Sequence, residues 1–293
     1  MDRAAATERL KTDYKLFGDV MDNLAAEFDA KPDVKFSTFD KTTEERIDRA
    51  AYELRENGVS YWRGFYTDSN FLAKLSNICK TARKRADDLN VNRIEVTDPE
   101  SGWVYYADRP SGRSRALFRE AQITTPEITG LLQNLILQEV ISRAFKTPSK
   151  AQAAIAESII PTNAYDQQWW HIDRIKEQAK IMVLASDVTE ANGPMKIIPG
   201  SHKLKGSRRL LDFSYFSGGI DFADVPSGLI RKHREAVQLC TGASGDVIFF
   251  NTSTFHANGR ADEGERLTAT TYFLSLSTPR NDFLDSVHPG YPI

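Results

Sequence analysis

From about residue 150 onward the chain breaks into short β-prone segments separated by turn residues, and this pattern most limits the folds open to it. The segments are "AAIAESII", "QQWWHID", "KIMVLASDV", "MKIIP", "EAVQLC", "DVIFF" and "RLTATTYFLSL". Between them stand Asn192-Gly193, the "PGS" of Pro199 to Ser201 and the "GASG" of Gly242 to Gly245, residues that favour tight turns. Six or seven short strands punctuated in this way predict an antiparallel double sheet of the jelly-roll kind. Upstream the periodicity is helical. "KTTEERIDRAAYELRENG" has Thr42 and Glu45 at capping-box spacing, Ile47, Ala50, Ala51 and Leu54 along one face, and Gly58 as a stop. "VSYWRGFY" reads as a strand, and further helices are predicted from Ser69 to about Asp87 and from Pro126 to Phe145. The fold expected is mainly β with flanking helices. The division expected is an N-terminal helical extension over 1–40 and a single domain over 41–293, with helical support over about 41–150 and a jelly-roll core over about 151–276.

A chain of 293 residues with 41% apolar composition can bury one large core. Its 38 Lys and Arg are balanced by 40 Asp and Glu, for a net charge of −2, and they form no basic stripe, so a nucleic-acid partner is not expected. "MDRAAATERLKTDYK" contains no apolar segment of the signal-peptide type, and nowhere do about 18 apolar residues follow one another, so the expectation is a cytoplasmic protein without a membrane partner. Cys79 and Cys240 are far apart and form no CxxC pair, which argues against a disulfide framework or a zinc knuckle.

One short stretch, "WWHID", raises a metal site. A His-x-carboxylate triplet is expected about 0.7 times by chance in a chain with 5 His and 40 acidic residues, so His171 and Asp173 alone decide nothing. Strand alternation does put them on one face, together with Trp169 and Gln167. A mononuclear ferrous site needs two imidazoles and one carboxylate on one face, with the other positions open. The second imidazole must come from His202, His233, His256 or His288. His256 has the best setting, after the strand "DVIFFN" and shortly before the strongly β "RLTATTYFLSL" opened by Arg266. Arginine offers a planar fork for the distal carboxylate of a dicarboxylic cosubstrate such as 2-oxoglutarate, and Thr268, on the same face two residues on, adds a hydroxyl. By contrast His202 lies in the tight turn "IPGSHK" and reads as a loop brace, His233 lies in the charged run "IRKHRE" and reads as solvated, and His288 is in the tail.

The ordered set "WWHID", "SDVTEANGPMKIIPGSHK", "GDVIFFNTSTFHANG" and "ERLTATTYF" resembles the phytanoyl-CoA dioxygenase family of iron(II)- and 2-oxoglutarate-dependent oxygenases, including its ectoine-hydroxylase-like members. The resemblance spans roughly Ala51 to Leu276. It implies a double-stranded β-helix with His171, Asp173 and His256 on Fe(II), Arg266 on the distal carboxylate of 2-oxoglutarate, and O2 as the oxidant. Asn258 stands where the family often has a small hydroxyl residue at the cosubstrate, and Gln152 falls near a place where some members use a glutamine. The tryptophan common in the strand after the HxD motif is missing from "KIMVLASDV". The implied reaction decarboxylates 2-oxoglutarate to succinate and CO2 while oxidising a C–H bond. A retained Asp173 favours hydroxylation, desaturation or ring formation over halogenation. The expected substrate is a small-molecule metabolite, with Trp169, Tyr105 and Arg115 as candidate contacts and the interval 206–234 as a surface insertion able to act as a lid. Two other readings are a non-catalytic jelly-roll binding protein and a cupin-type metalloenzyme that uses no 2-oxo acid. The complete ligand set speaks against the first and Arg266 against the second.

Overall fold

The computed structural model describes residues 43–90, 96–98, 104–108, 113–119, 125–161, 170–173, 178–203, 223–225 and 227–275. It opens with α1 (Thr43–Asn57), β1 (Val59–Trp62) and α2 (Ser69–Asp88). Asp68 starts α2 by accepting from the backbone N–H groups of Asn70 and Phe71, which would otherwise lack partners in the first turn. Three strands follow: β2 (Val96–Thr97), β3 (Val104–Asp108) and β4 (Arg113–Arg119). The helix predicted from 126 to 145 is two helices, α3 (Pro126–Leu132) and α4 (Leu135–Phe145). Asn134 divides them, because its side chain accepts from the N–H groups of Ile136 and Leu137 and so caps a new helix.

The strands of the core are β5 (Ser149–Pro161), β6 (His171–Ile172), β7 (Gln178–Leu184), β8 (Met195–Ile197), β9 (Ala223–Asp224), β10 (Gln238–Cys240), β11 (Val247–Asn251), β12 (His256–Asn258) and β13 (Arg266–Ser275), with α5 (Ser227–Lys232) before β10. They form an eight-stranded sheet in the order β1-β11-β7-β13-β5-β4-β3-β2 and a five-stranded sheet in the order β10-β8-β12-β6-β9. All pairings are antiparallel. This is the two-sheet architecture predicted, with one difference. The stretch 104–119, which carries the candidate contacts Tyr105 and Arg115 and lies outside the predicted strands, supplies β3 and β4 and widens the larger sheet, since β-prone Val104, Tyr105 and Tyr106 find Arg119, Phe118 and Leu117 as ladder partners.

Among the described residues, alternation along the strands divides the apolar side chains named here between two cores. Ala179, Ile181 and Val183 of β7 and Leu267, Ala269 and Phe273 of β13 face outward and pack on Leu54, Leu75, Leu131, Leu137 and Ile141 of the helices. Met182 and Leu184 of β7 face inward with Tyr61, Met195, Ile197, Ile248 and Phe250, between the two sheets. The helices therefore back the larger sheet, and the interior between the sheets is left for the polar residues described next.

Gly58 joins α1 to β1 at φ +72°, and its N–H closes the helix on the carbonyl of Leu54. There is no room for a side chain, because a Cβ would lie 2.2 Å from Thr254 Oγ1 and 2.5 Å from His202 Nδ1. The "PGSHK" turn packs into this corner. Gly200 donates to Asn57 O, Ser201 Oγ bridges Ile198 O and Phe255 N, and His202 Nε2 donates to Arg55 O at 2.9 Å. His202 is thus a brace, as expected. His233 is not in a solvated run: it is 8% exposed, covered where α5 passes into the turn before β10.

Candidate metal and cosubstrate site

Three side chains from two elements of the smaller sheet and the residue beyond one of them converge between the sheets. His171 of β6 pairs with His256 of β12 in the ladder, and their rings lie 4.3 Å apart, centroid to centroid. Asp173 stands just past β6, where its N–H bonds to Thr252 O at 2.9 Å, so the carboxylate turns to the same side as His171. One ligand atom from each of the three lies within 4.8 Å of the others. Asp173 Oδ1 is 3.7 Å from His171 Nε2, and its Oδ2 is 3.4 Å from His256 Nε2. The second nitrogen of His256 makes the assignment sharper. Nδ1 lies 2.7 Å from Thr254 O, and a carbonyl can only accept, so Nδ1 carries the proton and Nε2 presents a lone pair to the site.

Two nitrogen donors and one carboxylate on one face suit a divalent iron with open positions. The carboxylate is ready for that role. Burial pushes the Asp173 carboxyl up, but the Lys180 ammonium, together with His256 and His171, holds it well below the usual carboxylate range. Lys180, from β7, reaches Asp173 Oδ2 at 2.6 Å.

A second polar group lies at the start of β13. Arg266 is 1% exposed, the largest fully buried side chain described. Its Nη1 donates to Gly193 O, and its Nη2 to Glu157 Oε1 at 2.9 Å and Asn258 Oδ1 at 3.0 Å. The "NGP" turn explains the first of these. Asn192 accepts from Thr189 N and donates to Asp187 O, which folds the turn, and Gly193 at φ +80° packs against the backbone of Gly259, so its carbonyl is held over the guanidinium. Thr268 lies two residues on, on the same inner face, fully buried with no hydrogen-bond partner for Oγ1. A buried cation beside an unsatisfied hydroxyl is a fitting end for a distal carboxylate.

The predicted residues thus fall into three groups. His171, Asp173 and His256 are brought together, and so are Arg266, Thr268 and Asn258, although Asn258 turns its carbonyl oxygen to Arg266. Gln152 lies at the register shift between Tyr272 and Phe273 on β13, and the inward β5 residue that meets Arg266 is Glu157, paired with Thr268. The side chains of Gln152, Tyr105 and Arg115, and all of Trp169, lie outside the described residues. Trp170 is buried, and its carbonyl accepts from Val225 next to β9. Within the interval read as a lid, β9 pairs with β6, placing Asp224 opposite His171.

Two site residues were missed, Glu157 and Lys180. Each is the lone charge in an otherwise apolar inward strand, "AAIAESII" and "QAKIMVL". That isolation was the available signal, because a charge is placed in such a strand only where something pairs with it.

The chain is similar to two ectoine dioxygenases, from Bordetella parapertussis and Bordetella bronchiseptica, each 22% identical over 73% of this chain and 78% of the relative. Among solved structures it resembles the carbocyclase SnoK of nogalamycin biosynthesis, with a TM-score of 0.58 and 14% identity over 87% of this chain and 96% of that one. It also resembles EctD of S. alaskensis with bound Fe, with a TM-score of 0.54 and 17% identity over 87% and 88% of the two chains. The model of the family described as "Phytanoyl-CoA dioxygenase (PhyH)" matches residues 54–262, most of the chain and both polar groups except Arg266 and Thr268 just beyond it. With ligands, cation and fold in one arrangement, the chain belongs to the phytanoyl-CoA dioxygenase family of iron(II)- and 2-oxoglutarate-dependent oxygenases.

Proposed function

We propose that this 2-oxoglutarate-dependent dioxygenase hydroxylates an unactivated C–H bond of a small-molecule metabolite, with release of succinate and CO2. The observation that carries the reading is the pairing of the His171, Asp173 and His256 cluster with a buried Arg266 and an unsatisfied Thr268 hydroxyl on one interior face. Iron bound there would supply the activation of O2 and the oxidation of the C–H bond. The protein's own work is positional. His256 is held by Thr254 O in the tautomer that binds metal, and Asp173 stays ionised. Arg266 and Thr268 hold the distal carboxylate so that the 2-oxo acid end meets the triad, and the apolar residues between the sheets, Met182, Leu184, Ile248 and Phe250 among them, keep water from the reacting atoms. We propose the folded unit as one domain, since helices and core strands share a single apolar cluster.

The test is succinate formation from 2-oxoglutarate with added iron(II), across a metabolite library, together with calorimetric binding of 2-oxoglutarate to the protein loaded with manganese(II) in the absence of oxygen. His171→Ala and Asp173→Ala should each weaken metal binding by more than about 100-fold, since even the groups that merely orient metal ligands cost 10–100-fold when lost. Absence of both metal-dependent 2-oxoglutarate binding and iron-dependent turnover would falsify the assignment.

A further inference from the structure

Lys180 is not itself one of the side chains proposed to bind the metal or the distal carboxylate, yet it projects into the same interior. It lies on the inward face of β7, in register with Phe250 of β11 and Tyr272 of β13. Its ammonium sits 4.9 Å from the centroid of the Tyr272 ring and 5.8 Å from that of Phe250, and 2.6 Å from Asp173 Oδ2. The side chain is 15% exposed. Phe250 in turn stands edge-on to the His256 ring at 5.3 Å, so the cation and its two aromatic walls adjoin the triad.

The ladder shows on which side of the triad this group lies. Tyr272 is six residues along β13 from Arg266, a separation of about 20 Å at the usual strand rise. Leu184 of β7 is in register with Thr268, whereas Lys180 is in register with Tyr272, four pairs further along the same stretch. The cosubstrate runs from the triad toward Arg266 and Thr268. Lys180 and the partly exposed Tyr272 therefore border the opposite side, away from Arg266, where the molecule to be oxidised would lie, with Phe250 buried beneath them.

A mostly buried ammonium needs an anionic partner. Among the described residues Asp173 is such a partner. A carboxylate that donates to a divalent metal shares its charge with that metal and holds an ammonium less strongly, so a second anion beside Lys180 gains from the cation already in place. Resting on the oxygenase reading above, we propose that Lys180 determines substrate specificity by binding a carboxylate of the substrate, whose apolar body lies against the partly exposed Tyr272.

The experiment measures binding of simple monocarboxylates (phenylacetate, benzoate and hexanoate) and their primary amides by calorimetry and by NMR line broadening. It uses protein loaded with zinc(II) and saturating 2-oxoglutarate, which keeps Arg266 occupied. Lys180→Met, Lys180→Gln and Lys180→Arg are compared with the native chain, with circular dichroism as the check on folding. The carboxylates are expected to bind the native protein at least about 10-fold more tightly than their amides. That preference should vanish in Lys180→Met and Lys180→Gln and persist in Lys180→Arg, with 2-oxoglutarate affinity changed less than about 3-fold. Equal binding of acid and amide by the native protein overturns the proposal, and so does a preference that survives both neutral variants. Parallel loss of 2-oxoglutarate affinity in those variants would assign Lys180 to the cosubstrate instead, and a substrate found by succinate release that carries no anionic group would equally exclude it. Failure of the native protein to bind 2-oxoglutarate at all is a different result, and counts against the oxygenase reading rather than against Lys180.

Discussion

Arg266 and Glu157 meet diagonally across the β13–β5 ladder, in which Glu157 pairs with Thr268 and Arg266 with Ile159; Nη2 lies 2.9 Å from Oε1, with both side chains no more than 5% exposed. The protein's own carboxylate thus sits on the cation that is proposed to receive the distal carboxylate of 2-oxoglutarate. Two carboxylates beside one guanidinium repel each other.

Glu157→Gln keeps an acceptor for Arg266 and removes the competing charge. The dissociation constant for 2-oxoglutarate, measured by calorimetry with manganese(II), should fall roughly fivefold, equivalent to about 1 kcal/mol. Glu157→Ala acts differently: it leaves a buried cation without this partner and should cost about 3 kcal/mol of stability in urea unfolding. A weaker 2-oxoglutarate complex in Glu157→Gln would show that Glu157 helps to hold the cosubstrate.

Thr268→Val separates the cosubstrate from the fold. The Thr268 hydroxyl is buried and has no partner, so an isosteric methyl removes an unsatisfied polar atom and stability should stay level or rise. Binding of 2-oxoglutarate should weaken by about 1.5 kcal/mol, roughly 10-fold, as one charge-assisted hydrogen bond is lost. A valine variant with unchanged affinity would remove Thr268 from the cosubstrate site.

Gly58 is constrained twice, by φ +72° and by a Cβ position 2.2 Å from Thr254 Oγ1. Gly58→Ala should lower stability by about 3 kcal/mol, from the left-handed backbone cost of about 1–2 kcal/mol and the overpacking of the corner. Because Thr254 also positions His256, metal affinity should fall along with stability.

His202 carries a pH effect. Burial lowers the pKa of its imidazole, and Nδ1 has no hydrogen-bond partner. The folded protein therefore binds this proton less readily than the unfolded chain, whose histidines titrate near about 6.5. Stability rises with pH wherever the unfolded state holds more protons, so it should decline as pH falls from 7 through about 6.5 and level off below the folded-state value. His202→Gln should flatten that slope in denaturation curves taken between pH 5 and 8, whatever its effect on absolute stability.

The alternation and turn residues after residue 150 were enough to predict two sheets, because a buried strand face and a tight turn leave local marks in composition. The triad was legible for a similar reason. His171 and Asp173 share a face by strand period alone, and His256 and Arg266 open β12 and β13. Other features could not be read locally. The division of 126–145 into two helices depended on whether Asn134 would cap or continue, and three further strands at 96–119 formed only because the edge of β5 was available to them.

What the sequence determined by itself was the set of short-range choices: which segments are strands, which faces are apolar, and which residue types can bind a ferrous ion. Only the tertiary structure decided that Glu157 lies on Arg266 and Lys180 on Asp173, since each pairing depends on ladder register between strands far apart in the chain. A shift of one residue in either register would turn the charge to the other face of its sheet. Local periodicity carries no information about that choice, whereas packing of two apolar cores against opposite faces of one sheet determines it.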